Sequence, residues 1–213
     1  HSGGNSVSLN PPTSAPTSSE VAFKLPNADG SSGQYMKTDG SGNLAFATVA
    51  TGVDGITMAD TWVMTAGFNT GTTYLTDDHS DINWSRQTST YGGFGSAMTE
   101  SGGVFTFPST GHYYVQSTIS GFANGGARHY IGNVHYISTN SGSSYSEKVQ
   151  AYTSAYADSA HWSVSVGDIY DITNATTTRL KLRFTSNGAN NILGSTSGNI
   201  GLSGITFIRL GDT

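Results

Sequence analysis

Apolar side chains recur at every second position in short runs separated by Gly, Asn, Asp and Ser, and none of these runs reads as an amphipathic helix. The pattern predicts an all-β protein. In HWSVSVGDIYDI, residues 161–172, Trp162, Val164 and Val166 fall on one face and Ser163 and Ser165 on the other, while Gly167-Asp168 permits a bend before Ile169. Within a strand expected over 178–186, Leu180, Leu182 and Phe184 oppose Arg179, Lys181 and Arg183, the pattern of a half-buried strand. Further strands are expected at 61–66, 72–76, 82–85, 96–99, 103–107, 111–120, 128–139, 144–156 and 200–210, a spacing that fits an antiparallel sandwich.

Three segments carry apolar residues on both parities. Tyr113, Val115 and Ile119 oppose Tyr114; Ile131 and Ile137 oppose Tyr130, Val134 and Tyr136; Leu202, Ile208 and Leu210 oppose Ile205 and Phe207. An antiparallel sandwich leaves one face of each sheet wet, so two-sided strands need a second cover, and a neighbouring subunit supplies it. Tyrosine suits such a contact because it brings apolar area together with a hydroxyl that finds a partner. On this reasoning Tyr113, Tyr114, Val134, Tyr136, Ile205 and Phe207 form a subunit interface. The simpler alternative has the tyrosines flooring surface loops.

Residues 1–20 are Ser-, Pro-, Gly- and Asn-rich with almost no apolar side chain, too polar to offset the entropy of ordering, and read as a flexible arm. Residues 21–50 read as a small β-unit whose best hairpin sets Gln34–Thr38 against Asn43–Thr48 across Asp39-Gly40-Ser41-Gly42. Such a unit is marginal by itself and makes sense when neighbouring chains share its burial. Residues 51–58 read as a connector and 59–213 as the main β-domain.

Composition narrows the function. Gly, Ser and Thr number 28, 30 and 28 of 213 residues, while only 11% are charged, so the surface is built from hydroxyls and turns. Nine Lys plus Arg and a formal net charge of −5 leave no basic footprint for a nucleic acid. No apolar run approaches the roughly 18 residues of a membrane span. Cysteine is absent, which removes disulfides, thiolate metal sites and Cys nucleophiles. The chain starts at His1 without Met or a signal-like run, which reads as a fragment or processed form with any address segment upstream.

The stretch GGVFTFPSTGHYYVQSTISG, residues 102–121, resembles the central signature of the complement-type globular head, the family that shares its trimeric jelly roll with tumour necrosis factor. The Gly167-Asp168 turn and the closing LSGITFIRL are similar to later stations of that head, in the same order. Aromatic residues at 62, 84 and 94 match its early positions only loosely, and the collagenous stem of the animal proteins is missing. In its place, LPNADGSSGQYMKTDGSGNLAF resembles a repeat unit of tail fibres and other virion appendages of bacterial viruses, with Met36 and Phe46 at its apolar and aromatic positions. Together the resemblances imply an antiparallel jelly-roll head, a homotrimer, joined through its N-terminal region to other virion proteins at the virion surface.

No catalytic residue and no cofactor are expected. The chain has no Walker-type loop, dinucleotide fingerprint or GxSxG elbow, and its many serines make chance Ser-His-Asp sets meaningless. TDDHSD lacks the spacing of an EF-hand loop, and Asp77, Asp78 and Asp81 offer at most a weak calcium site of the loop-held kind found in the head family. His129 and His135 are six residues apart on one strand, roughly 20 Å, too far to share a metal. The row Arg179, Lys181 and Arg183 reads as a solvated face, or alternatively as a surface for acidic partners. Receptor contact is expected in loops, where Tyr91, Phe94, Phe122 and Tyr145 supply aromatic platforms and Asn124, Arg128, Asn140, Asn190 and Asn191 supply polar groups, the pairing that suits a host surface glycan. The leading expectation is a non-enzymatic fibre knob for receptor binding. The alternative is a trimeric capsid decoration or spike protein held by its N-terminal arm.

Overall fold

The computed structural model describes residues 13–14, 22–48, 56–76, 83–88, 93–194 and 202–213. The chain divides into two units, His1–Asp54 and Gly55–Thr213. In the first, β1 (Gln34–Thr38) pairs antiparallel with β2 (Leu44–Thr48), with Met36 opposite Phe46. Asp39 holds the turn: Asn43 Nδ2 donates to its Oδ2 at 2.5 Å, and Oδ1 accepts the N–H groups of Ser41 at 2.8 Å and Asn43 at 3.2 Å. These bonds, the Asn43 amide first, hold the Asp39 carboxyl below its ordinary value. The hairpin covers little of its apolar surface, since Phe23, Leu25, Tyr35, Met36 and Phe46 are all exposed.

The second unit is a sandwich of two antiparallel sheets. Its strands are β3 (Met58–Met64), β4 (Phe68–Thr70), β5 (Thr73–Tyr74), β6 (Trp84–Arg86), β7 (Thr99–Ser101), β8 (Val104–Thr106), β9 (Gly111–Ala123), β10 (Arg128–Ser138), β11 (Ser146–Ala155), β12 (His161–Ile172), β13 (Arg179–Ser186), β14 (Asn190–Ile192) and β15 (Gly204–Gly211). Among the described residues, one sheet has the order β11-β10-β13-β8-β7 with β5 also on β13, and the other β4-β14-β9-β15-β3-β6 with β12 also on β9. The second sheet is organised by β9, whose thirteen residues alternate between buried and half-exposed without a break. Along one edge it pairs with β12 from Gly111↔Ile172 to Phe122↔His161. Its other edge takes β15 and then β14.

The core lies between the sheets. Tyr113, Val115, Ile119, Ile205 and Phe207 from one sheet meet Phe105, Ile131, Leu180, Leu182 and Phe184 from the other. Phe105 and Phe207 lie 5.2 Å apart, and Trp162 stacks on Phe184 at 5.5 Å and 17°. Tyr113 fits an apolar interior because its hydroxyl donates to the Ser109 carbonyl at 3.0 Å. A buried charge sits beside this core: Asp60 accepts from Arg86 Nε at 2.6 Å, Met98 N at 2.8 Å and Trp62 Nε1 at 3.0 Å.

This packing corrects the expected interface. Tyr113, Ile205 and Phe207 are covered by the facing sheet of their own chain and have no surface left for a neighbour. Val134 and Tyr136 sit on the outward face of β10 yet are buried there, Val134 between Gln150 and Arg183 in register and Tyr136 against Tyr74. Of the six residues only Tyr114 stays half exposed. The last strand likewise buries one parity: Ile205 and Phe207 point inward, whereas Leu202 and Leu210 are exposed. Two short strands, β4 and β14, lie where no strand is expected from the sequence, β14 within what reads as a long loop.

Candidate functional site

The outward face of the seven-stranded sheet is laid out by register. Ile169, Tyr114, Ile208 and Ala59 form one cross-strand row, Gly167, Gln116, Thr206 and Thr61 the next, and Ser165, Thr118, Gly204 and Val63 the third. None of these twelve residues is charged. The hydroxyls satisfy one another across strands, Thr118 Oγ1 with Ser165 Oγ at 2.7 Å, Thr61 Oγ1 with Thr206 Oγ1 at 3.0 Å, and Ser120 Oγ with Ser163 Oγ at 3.1 Å in the following row. Tyr114 donates its hydroxyl to Gln116 Oε1. Gly167 keeps this pair in place, since a Cβ there would stand 2.7 Å from Gln116 Oε1 and 2.9 Å from the Tyr114 oxygen. Thr61, Gln116, Thr118 and Thr206 line a shallow cavity of about 160 Å³, and Ile169 is 56% exposed. Polar groups already paired within the chain lose little when water is stripped away, so this face can be covered without leaving orphaned donors.

Between the sheets lies a polar network that sequence reasoning missed. Ser117 Oγ stands 2.7 Å from His135 Nε2, His135 Nδ1 stands 2.9 Å from the Tyr170 hydroxyl, and Asn133 Nδ2 donates to Ser117 Oγ at 2.8 Å. Burial pushes the His135 imidazole down to about 4, against a small opposing pull from Asp168. The same cause pushes the Tyr170 phenol up. The Ser–His contact has hydrolase-like spacing but not hydrolase access, because Ser117, Asn133 and His135 have no exposure and a phenol stands where an orienting carboxylate would be. Asn133 Oδ1 is left without a partner. Among the described residues, no group of three or more His, Asp or Glu side chains is placed to hold a metal.

The basic row is not freely solvated. Lys181 Nζ lies 3.8 Å above the Tyr74 ring and 4.2 Å above that of Tyr145, and Arg183 Nη1 donates to the Tyr136 hydroxyl at 2.9 Å, which itself donates to Glu147 Oε2 at 2.9 Å. Arg179 turns to the carbonyls of Thr178 and Ala175. Lys181 and Arg183 thus form a lid of half-buried cations over aromatic rings, which also covers the outward side of β10.

The expected receptor residues do not converge. Arg128 is buried and spends its donors on backbone carbonyls, Ala189 at 2.8 Å, Ala127 at 2.9 Å, and Asn124, clasping two loops together. Asn190 has no exposure; its Oδ1 accepts from Trp162 Nε1 at 3.1 Å. Both are corrected from surface contacts to internal braces. Phe122 and Asn191 pair across strands at this end of the sandwich. Asn140 pins its own turn through Ser138 and Ser144, and with Tyr145 it lies beyond the far end of β10, whose eleven residues span roughly 35 Å. Phe94 is exposed and bridged to Ala59 at the edge of β3. Tyr91, Asp77, Asp78 and Asp81 lie outside the described residues.

No protein-family model and no curated protein matches the chain. Solved structures do. The chain is similar to the Eiger TNF of S. frugiperda, at 18% identity and a TM-score of 0.53 over 73% of this chain and 93% of that one. It is also similar to murine APRIL at pH 5.0, at 12% identity and 0.52 over 72% and 98%. The fold is a jelly roll of the tumour necrosis factor type. At these identities the likeness carries the fold and nothing finer.

Proposed function

We propose that the chain is a non-enzymatic, homotrimeric surface protein of a bacterial virus, a fibre knob whose head binds a host surface glycan. The observation that carries this reading is the uncharged outward face of the seven-stranded sheet, whose hydroxyls are paired internally and whose Tyr114, Ile169 and Ile208 stand ready for a second copy. Depletion of charge with retained aromatic and aliphatic area is the composition of an interface core. The hairpin supports the same reading, since Tyr35, Met36 and Phe46 lack cover and gain it when copies assemble. The virion assignment rests on the resemblance of residues 25–46 to appendage units. Exposure of Phe23 at 68% and Leu25 at 76% favours a second reading, a capsid decoration protein seated on the shell through this unit. A virion reconstruction separates them: density for the head at a fibre tip supports the knob, density on the capsid lattice supports decoration, and absence from the particle refutes both.

A further inference from the structure

The outward face of the six-stranded sheet holds a cleft of about 380 Å³ lined by Tyr130, Tyr152 and Thr185. Register brings two of these residues together. Gly132 stands between Tyr152 on β11 and Thr185 on β13 in one cross-strand row. A Cβ at Gly132 would lie 2.6 Å from Tyr152 Cε1 and 2.6 Å from Thr185 Cγ2, so the absent side chain lets the Tyr152 ring and the Thr185 methyl lie down across the strand. A register shift between Arg128 and Ile131 re-aims Tyr130, whose ring meets that of Tyr152 edge to face at 6.2 Å and 85°. The two rings are 43% and 54% exposed, while Tyr136 on the same strand is buried. Their place in the sheet is not needed to fill the core.

The polar partners of the lining residues are neutral. Tyr152 donates its hydroxyl to Gln150 Oε1 at 2.6 Å, Thr185 Oγ1 lies 3.2 Å from Thr72 Oγ1, and Asn187 Oδ1 accepts the His129 N–H at 3.0 Å. Among the described residues, no ionised side chain lines the cleft. A charged ligand finds no counter-charge there, and a wholly apolar one strips water from hydroxyls without replacing their bonds. A pyranose ring satisfies both requirements: its C–H face packs on a tyrosine ring while its hydroxyls exchange hydrogen bonds with Tyr, Thr and Gln side chains. The volume lies within the range of roughly 300–1,000 Å³ of small-molecule sites.

We propose that the Tyr130–Tyr152 cleft is a subsite for a neutral pyranose residue of a glycan. It takes its ligand class from the adhesive reading above and names the surface that performs it. The test is saturation-transfer NMR on the full chain with N-acetylglucosamine, galactose, glucose and rhamnose, each at roughly 10 mM, enough to read a millimolar dissociation constant. Expected are transfer to ring C–H protons of at least one sugar and a dissociation constant raised about tenfold or more in both Tyr130→Ala and Tyr152→Ala. Tyr156→Ala, a 91% exposed ring outside the cleft, is the control and binds as the parent does. Melting temperatures of the variants verify that they fold. Absence of transfer to every sugar, or binding retained in both cleft variants, overturns the proposal. Because the cleft lies within one protomer, a monomeric chain that binds sugar removes the knob but keeps the cleft, and an assembled chain that binds none does the reverse.

Discussion

Acid weakens this fold through one histidine. His135 has no exposure, and burial holds its imidazole at about 4 against an ordinary 6.5. The folded protein therefore keeps the ring neutral while the unfolded chain protonates it near its ordinary value. Between those two values the unfolded state binds more protons, so this contribution is fully present above 6.5 and lost as pH falls towards 4. At about 1.4 kcal/mol per pH unit the whole displacement is worth about 3 kcal/mol, and about 2 kcal/mol of it disappears between about pH 7 and about pH 5. His135→Gln keeps a polar side chain beside Ser117 and Tyr170 but cannot titrate. Its own cost is independent of pH and drops out when the two proteins are compared pH by pH. Urea unfolding followed by tryptophan fluorescence, at one protein concentration, reads the difference. The parent is expected to lose about 2 kcal/mol more than the variant over that interval. Equal losses refute the reasoning, because they leave His135 titrating alike in both states.

Other perturbations test the packing. Phe207→Ala, in the core against Phe105 and Phe107, costs about 3–5 kcal/mol in denaturant unfolding; a cost near zero in the isolated protomer would return Phe207 to a subunit contact. Asp60→Asn strands the Arg86 guanidinium beside the core and lowers stability by about 3 kcal/mol, read from the urea midpoint at constant slope. Arg128→Ala frees the Asn124 and Ala189 carbonyls and costs about 1–3 kcal/mol, with faster amide exchange in both loops. A neutral outcome would show that water satisfies those carbonyls equally well.

Strict alternation made β12 and β13 legible, because each buries one parity along a long run. The hairpin was legible too, since Asp39 and the glycines around it mark a tight turn. β4 and β14 were not, because three residues are too few to show a period. The two-sided strands misled for a physical reason: Tyr113 and Tyr114 look alike in sequence, yet one donates to a carbonyl inside the core and the other to Gln116 on the outward face. The Ser117–His135 contact joins different sheets, and the meeting of Tyr152 and Thr185 over Gly132 depends on three strands in register. Neither leaves a local mark. Arg128 and Asn190 looked like surface polar groups until the carbonyl and indole they serve were in place.

Assembly through the uncharged face is the claim on which the knob depends, and sedimentation equilibrium of the parent beside the Thr118→Glu, Thr206→Glu double variant tests it most directly. Both side chains point out from that face, where no cation of the same surface rows can answer a carboxylate. The parent is expected at three times 22.2 kDa and the variant at 22.2 kDa with its β-sheet circular dichroism intact. A parent that sediments at 22.2 kDa, or a variant that stays fully assembled, would contradict it.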